Sequence, residues 1–294
     1  YSINSFVKGT MFLRESLNHS VRGRKDLEGM KIPFIGEIPS TEGKRHWWQR
    51  KRKQERKIVV VEGSKNIINE SFRLLRTKLD YFLGKNQDLK VVMITSFNPG
   101  SGKTFISANL AKTFAIRGKR VICLDMDLRH HSLSSMVSKT KTGMSSYLNG
   151  LVDNYKDIII KDGLSENVDI IPVGIVPPNP TELLMSPRME ELISKLREEY
   201  DYIFMDCPPV EIVADASIVK DFVDVSLFVV RAGLMDRRVL PMVEDLYTEE
   251  KYKRLAIVLN GTSHISGKYG HYRYGYTYGY TNGYAYGYHD RKGN

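Results

Sequence analysis

The stretch between residues 91 and 104 constrains the fold more than any other part of the chain. It opens with an apolar run at residues 91–94, which predicts a buried strand. A glycine-rich turn follows, then Lys103 and Thr104, and then a helical pattern that continues to about residue 117. A strand, a glycine-rich turn and a helix that begins with Gly-Lys-Thr are the setting that a phosphate-binding loop requires. The stretch therefore predicts an α/β fold of the P-loop NTPase class.

The turn residues suggest how this loop binds an anion. Glycine lacks Cβ, so the backbone at Gly100 and Gly102 can turn sharply and approach a polyphosphate, which the loop N–H groups and the helix N-terminus then cradle. The consensus also places glycine at position 97, where this chain has Phe97. An ordinary strand–turn–helix with a surface lysine is therefore the alternative interpretation. The predicted nucleotide-binding residues are Asn98, Pro99, Gly100, Ser101, Gly102, Lys103, Thr104 and Phe105.

Two later apolar runs end in carboxylates, at Asp125, followed by Asp127, and at Asp206. Strands alternate with helices and read as continuous apolar runs, which predicts a mostly parallel sheet covered by helices on both faces. The carboxyl ends of parallel strands share one edge, so the three acids are expected beside the phosphate loop. A single aspartate at a strand end is usually a cap or turn residue, but three of them here indicate Mg²⁺ and phosphoryl transfer.

The excess of positive charge is concentrated in one segment. The chain has 44 Lys and Arg against 34 Asp and Glu, a net charge of +10. Residues 44–57 contain eight basic residues, one acid, and the pair Trp47 and Trp48. This segment can be a solvated linker or an anchor on anionic lipid headgroups, where tryptophans sit at the interface. Nucleic-acid binding is the third interpretation, although we do not expect a nucleic-acid partner.

The two cysteines, Cys123 and Cys207, lie in or beside apolar strand patterns. This placement predicts reduced core thiols in a cytosolic protein, and neither cysteine has metal-site spacing. No run of 18 apolar residues occurs, so we do not expect this chain itself to span a membrane. Because it begins without an initiator methionine or a signal peptide, we expect it to be part of a longer polypeptide.

We expect three parts: a basic linker at 1–57, a P-loop domain at 58–260 and a tyrosine-rich tail at 261–294. Beyond Ile265 the tail has one aliphatic residue, Ala285, so it cannot form a core and is predicted to be disordered. The period-two alternation of its tyrosines makes a strand the alternative. Its nine tyrosines are Tyr269, Tyr272, Tyr274, Tyr276, Tyr278, Tyr280, Tyr284, Tyr286 and Tyr288.

A helix is predicted over Ile67–Leu83, where apolar residues recur with helical spacing. Glu70, Arg73 and Arg76 follow one another at i, i+3 steps and are expected to run together along the outside. From the residues alone, this row is a surface salt-bridge ladder.

Taken together, these features resemble the bacterial tyrosine kinases (BY-kinases), and more narrowly the cytoplasmic half of a polysaccharide co-polymerase. The phosphate loop alone is common to very many NTPases, whereas loop, paired acids and tyrosine tail together are specific. The resemblance covers nearly the whole chain and rests on residues 70–76, 97–104, 124–129, 178–184 and 204–209 together with the tyrosine cluster.

The resemblance implies a protein-tyrosine autokinase that uses ATP and Mg²⁺ and phosphorylates the tyrosine cluster of neighbouring subunits. Such an enzyme would regulate capsular or exopolysaccharide synthesis and export. The implied catalytic residues are Lys103, Asp125, Asp127 and Asp206, with Asp125 near the attacking hydroxyl. The implied metal ligands are Thr104, Asp127 and Asp206, and Asn260 lies where relatives contact adenine.

The resemblance also implies partners and a location. The helix bearing Glu70, Arg73 and Arg76 would assemble a homo-oligomeric ring in which one subunit's tail reaches the next active site. Inner-membrane segments would precede residue 1, which places the chain at the cytoplasmic face of the bacterial inner membrane. A tyrosine phosphatase would be a further partner.

Three positions depart from related patterns. His131 stands where the family usually has proline, and Cys207 replaces a small hydroxyl residue. The related partitioning and septum-site ATPases carry a second loop lysine at the position of Asn98. Its absence argues against the alternative function, a partitioning-type ATPase switch that binds membrane or DNA. A scaffold that binds nucleotide without turnover is the third possibility.

Overall fold

A computed structural model of the chain describes residues 19–40, 58–84, 89–210 and 219–263. Within these ranges the strands are β1 (Phe34–Pro39), β2 (Val91–Ser96), β3 (Val121–Asp125), β4 (Ile160–Ser165), β5 (Val168–Ile171), β6 (Tyr202–Asp206), β7 (Val225–Arg231) and β8 (Leu255–Thr262). The α-helices are α1 (Ile67–Leu83), α2 (Lys103–Ala115), α3 (Met144–Leu148), α4 (Pro180–Leu184), α5 (Pro187–Glu199) and α6 (Leu240–Thr248).

These strands form one sheet in the order β1-β8-β7-β2-β6-β3-β5-β4. Every neighbouring pair is parallel except β4 and β5, which are antiparallel. The predicted α/β fold with a mostly parallel sheet is confirmed. Because β2 lies between β7 and β6, the phosphate loop that follows it emerges near the middle of the sheet edge.

Both faces of the sheet are covered, as predicted. Along β2, Val91 and Met93 belong to one apolar cluster, whereas Val92 and Ile94 belong to the other, because successive side chains of a strand point to opposite faces. Helices α1 and α2 contribute to the second cluster, and α3, α4, α5 and α6 contribute to the first. The continuous apolar runs in the sequence therefore reflect strands that are buried on both sides.

The N-terminal boundary of the domain lies earlier than predicted. Strand β1 pairs in parallel with β8, and its Ile35 and Ile38 are buried, so residues 34–39 belong to the sheet and not to a linker. Its end residue Pro39 suits an edge strand, since proline has no N–H to donate to a second neighbour. At the other end, β8 continues to Thr262, two residues beyond residue 260, where the domain was predicted to end.

The basic stretch at 44–57 and all nine tail tyrosines lie outside the described residues. The interpretations given for them remain predictions. Among the helices in the described ranges, none combines the length and the apolar character needed to cross a bilayer.

Candidate nucleotide and phosphoryl-transfer site

The phosphate loop connects β2 to α2 and is organised by its own hydrogen bonds. Gly100 and Gly102 adopt left-handed backbone angles, with φ of 76° and 93°. The hydroxyls of Ser96 and Ser101 both donate to the carbonyl oxygen of Asn98, each at 2.8 Å. The predicted turn is therefore present, and its two glycines stand where other residues would be strained.

Asn260, on β8, supports this loop from the neighbouring part of the sheet edge. Its side-chain amide donates to the carbonyl oxygen of Ser101 at 2.9 Å, and the side chain is buried. A Cβ on Gly102 would overlap the Asn260 amide nitrogen. The family resemblance had suggested an adenine contact for Asn260, and that contact remains a prediction. Its bond to the loop was missed because the partners are 159 residues apart.

Helix α2 begins at the loop and carries the next three predicted residues. Lys103 is its first residue and is buried at the sheet edge. The Thr104 hydroxyl donates to Oδ2 of Asp206 at 2.6 Å, which joins the loop helix to the acid that ends β6. The Phe105 ring lies edge-on to Phe72 of α1 at 5.7 Å, so its side chain serves the contact between the two helices.

The three predicted acids meet at the same edge. Asp125 and Asp206 are the last residues of β3 and β6 and stand opposite each other in register. Both are fully buried, and Asp127, two residues further on, is buried as well. The backbone N–H of Asp127 lies 3.3 Å from Oδ1 of Asp125. The expected convergence is present, whereas the catalytic role of each acid is not tested by this geometry.

The electrostatics of this edge favour the protonated form of the Asp125 carboxyl group. Burial, together with the neighbouring Asp206 carboxylate, raises the pKa of Asp125 to about 7, although two hydrogen bonds from Ser134 oppose the rise. Burial also raises the pKa of the Cys207 thiol next to Asp206, as it does for Cys123. Both cysteines are free and buried, as predicted for core thiols.

The loop that follows Arg129 wraps around Asp127. The backbone N–H of His130 donates to Oδ1 of Asp127 at 3.0 Å, and the His130 ring Nδ1 lies 3.2 Å from the same oxygen. His131 has a left-handed φ of 40°, and its N–H donates to the Asp127 carbonyl at 2.8 Å. Proline, with φ near −65° and no N–H, can do neither, so the proline that the family resemblance led us to expect here would not fit this loop conformation.

The oxygen donors at this edge suit Mg²⁺. No three His, Cys, Asp or Glu side chains within the described ranges converge as a ready-made metal site. Mg²⁺ bound with a nucleotide needs fewer protein ligands, because phosphate oxygens and waters complete its octahedron. The Thr104 hydroxyl and the Asp206 carboxylate are in contact, and the buried acids nearby concentrate negative charge. The residues therefore fit the ion.

The predicted oligomerisation residues of α1 contact their own chain. Glu70 and Arg73 form an ion pair, and Arg73 Nη2 donates to the carbonyl of Ser64 at 2.7 Å. Arg76 Nη1 donates to the carbonyl of Thr113 at 3.0 Å, and burial lowers the pKa of Arg76. The expected ion pair forms between Glu70 and Arg73, whereas Arg76 is part-buried against α2 and does not lie on the outside as predicted.

Comparison with known proteins identifies the family. The chain matches the family described as AAA domain over residues 89–223. It is 31% identical over 225 residues to the tyrosine-protein kinase YwqD of Bacillus subtilis, which covers 76% of this chain and 92% of YwqD. The chain belongs to the family of bacterial tyrosine-protein kinases. This membership, together with the phosphate-loop fold, makes it a nucleotide-binding protein.

Further members of the tyrosine-protein kinase family agree. The chain is 33% identical over 243 residues to Etk of Escherichia coli, covering 77% of this chain but 32% of Etk. The solved kinase domain of Escherichia coli ETK has 32% identity and a TM-score of 0.72, and the match covers 92% of this chain and all of that domain. The chain thus spans about a third of the longer relative and corresponds to its kinase domain. These matches favour a kinase over a partitioning-type ATPase.

Proposed function

We propose that this chain is a protein-tyrosine kinase that transfers the γ-phosphoryl group of ATP to tyrosines between 269 and 288 of a neighbouring copy. The observation that carries the proposal is the position of the Asp125 carboxylate at the same buried edge as Lys103, Thr104 and Asp206. A phosphoryl donor held by the loop would lie next to a group that can receive the acceptor's proton. Family membership supports the same reaction.

The loop and the first turn of α2 would hold the triphosphate. Backbone N–H groups of the loop and the helix N-terminus bind phosphate oxygens, and Lys103 adds its positive charge at the β- and γ-phosphates. Thr104, Asp127 and Asp206 would hold Mg²⁺, the two acids partly through water. When bound, Mg²⁺ neutralises the phosphates and stabilises the charge that spreads over the transferred group.

Asp125 would act on the acceptor. A tyrosine phenol has a pKa of about 10 and arrives protonated. Phosphoryl transfer has a loose transition state, so the nucleophile needs little early deprotonation. Asp125 therefore orients the O–H and accepts its proton late, while the phenol oxygen bonds to phosphorus and ADP leaves. Burial of this carboxylate keeps competing water away from it.

Tethering would supply the acceptor. A flexible segment of about 30 residues has a root-mean-square span of roughly 30 Å. At that span its effective concentration in a neighbouring site is on the order of millimolar. A repeated cluster of tyrosines then needs little sequence recognition.

The wider setting is part of the same proposal. Ring assembly would use Glu70, Arg73 and Arg76, and the chain would work at the cytoplasmic face of the inner membrane, connected to segments before residue 1. There it would regulate capsular or exopolysaccharide export, and a tyrosine phosphatase would reverse the modification. The family resemblance supports this setting.

Intact mass spectrometry after incubation with Mg-ATP tests the reaction. We expect mass steps of one phosphate each for the unchanged chain. Lys103→Met should abolish most of them while leaving the fold intact. Lys112→Met, on the same helix with its Nζ bonded to the Glu166 carbonyl, is the matched control and should behave like the unchanged chain. Free phosphate alone would indicate an ATPase, and near-normal phosphorylation of the Lys103→Met chain would refute the assignment.

A further inference from the structure

Ser134 lies outside every motif predicted from the sequence, yet it makes the closest contacts to Asp125. Its backbone N–H donates to Oδ2 of Asp125 at 2.7 Å. Its hydroxyl donates to the same oxygen at 2.6 Å. Ser134 begins a short 3-10 turn, Ser134–Met136, nine residues after the acid. The carboxylate is thus held by both donors of a single residue.

The direction of the Ser134 hydroxyl is set by a third partner. The backbone N–H of Val173, just beyond β5, donates to Ser134 Oγ at 2.8 Å. Because that N–H occupies an acceptor position on the oxygen, the hydroxyl hydrogen is left to donate to Asp125. Val173 is itself braced, since its carbonyl lies 2.9 Å from the hydroxyl of Ser145 on α3. The hydroxyl therefore fixes the Asp125 carboxylate relative to two strand ends.

These contacts make the two oxygens of Asp125 unequal. Oδ2 accepts two short hydrogen bonds from Ser134, whereas Oδ1 accepts the backbone N–H of Asp127 at 3.3 Å. Charge on Oδ2 is already stabilised, and its lone pairs are occupied. Oδ1 is therefore the oxygen better able to take a proton from an acceptor hydroxyl.

We propose that Ser134 is a positioning residue that orients Asp125 so that its Oδ1 faces the tyrosine hydroxyl. The inference rests on the proposed function, in which Asp125 receives the acceptor's proton. Ser134 acts through Asp125 and not on the nucleotide. Its loss therefore lowers the rate of transfer and leaves ATP binding in place. A displacement of about 1 Å at a reacting group can cost about 100-fold in rate.

Steady-state phosphorylation in trans tests this role. The Lys103→Met chain with its tail intact serves as acceptor, and Ser134→Ala, Ser134→Thr and Ser135→Ala chains serve as enzymes. We expect Ser134→Ala to lower kcat by about 10- to 100-fold while the KM for ATP changes less than about twofold. Ser134→Thr keeps the hydroxyl and should restore most of kcat. Ser135, whose exposed hydroxyl bonds to the Ser132 carbonyl, is the matched control, and its alanine variant should match the unchanged enzyme.

Two results would overturn the inference: unchanged kcat in Ser134→Ala, whether or not the KM for ATP rises, or equal losses of kcat in the alanine and threonine variants. If Ser134→Ala does not fold, Ser134→Cys replaces it, because cysteine has nearly the native size but is a weak hydrogen-bond donor. Ser134→Cys should have a lower kcat, and full activity in this variant would overturn the inference. Asp125→Asn separates the two proposals. If Asp125→Asn is inactive while Ser134→Ala is fully active, the role proposed for Ser134 is wrong and that of Asp125 stands. If Asp125→Asn is active, the role proposed for Asp125 is wrong.

Discussion

Gly100 and Gly102 provide a matched test of how the phosphate loop is held. Both adopt positive φ, at 76° and 93°, so alanine at either position pays the left-handed backbone cost of about 1–2 kcal/mol. Their surroundings differ. A Cβ added to Gly100 meets nothing within 4 Å, whereas one added to Gly102 overlaps the Asn260 amide that bonds to Ser101. The difference between the two alanine variants therefore measures the contact with Asn260.

The magnitudes follow from these contacts. Gly100→Ala should weaken nucleotide binding by about 5- to 30-fold, which corresponds to the whole backbone cost of about 1–2 kcal/mol in the nucleotide-bound loop. Gly102→Ala should also displace Asn260 and lose its buried hydrogen bond, a further cost of about 1–3 kcal/mol. The backbone cost and the lost hydrogen bond together amount to about 2–5 kcal/mol, which corresponds to a loss of nucleotide affinity of about 30-fold or more.

Isothermal titration calorimetry of the full chain with Mg-ADP gives the affinities. Combining Gly102→Ala with Asn260→Ala should recover part of the loss, because removing the amide makes room for the new methyl group. We expect a coupling energy of at least about 1 kcal/mol between these two positions and none between Gly100 and Asn260. Equal affinities for the two single alanine variants, or no recovery in the double variant, would refute the reasoning.

Three further predictions concern the loop, the core and the assembly. His131→Pro should lower the free energy of unfolding by more than about 1 kcal/mol, since proline lacks the N–H that bonds to the Asp127 carbonyl and cannot adopt positive φ. Unchanged urea unfolding would show that the loop tolerates proline at this position. Asn109→Ala should lower the free energy of unfolding by about 1–3 kcal/mol, because the Asn109 Oδ1 accepts hydrogen bonds from the backbone N–H groups of Val59 and Val60. A change of less than about 0.5 kcal/mol in urea unfolding would contradict this. Exhaustive phosphorylation should shrink the assembly, as each phosphate adds about −1.5 to −2 charges to the tail; an unchanged size in light scattering would exclude that regulation.

Local patterns were sufficient to predict the centre of the fold. The apolar run before the phosphate loop became β2, the Ile67–Leu83 periodicity became α1, and the acids at the ends of apolar runs came to one sheet edge. Each of these features depends on residues adjacent in sequence or on the rule that parallel strands share an orientation. The order of strands in a parallel sheet then brings their carboxyl ends together without further information.

The features that were missed depend on contacts between distant parts of the chain. Strand β1 was assigned to a linker because it is stabilised by pairing with β8, more than 200 residues away. Asn260 bonds to a loop residue 159 positions away in the sequence. Ser134 bonds to Asp125, 9 positions away, and to Val173, 39 positions away. Serine and asparagine occur in many loops, so their residue type carries no signal for such a bond. The tertiary packing decides which of them matter.

Phosphorylation between subunits is the central claim, and a mixing experiment tests it most directly. One chain carries Lys103→Met with its tail intact, and the other is catalytically unchanged with all nine tail tyrosines replaced by phenylalanine. After incubation of the mixture with Mg-ATP, intact mass spectrometry distinguishes the two chains. The account predicts several phosphates on the Lys103→Met chain. Phosphate absent from that chain, when the unchanged protein phosphorylates itself under the same conditions, would contradict it.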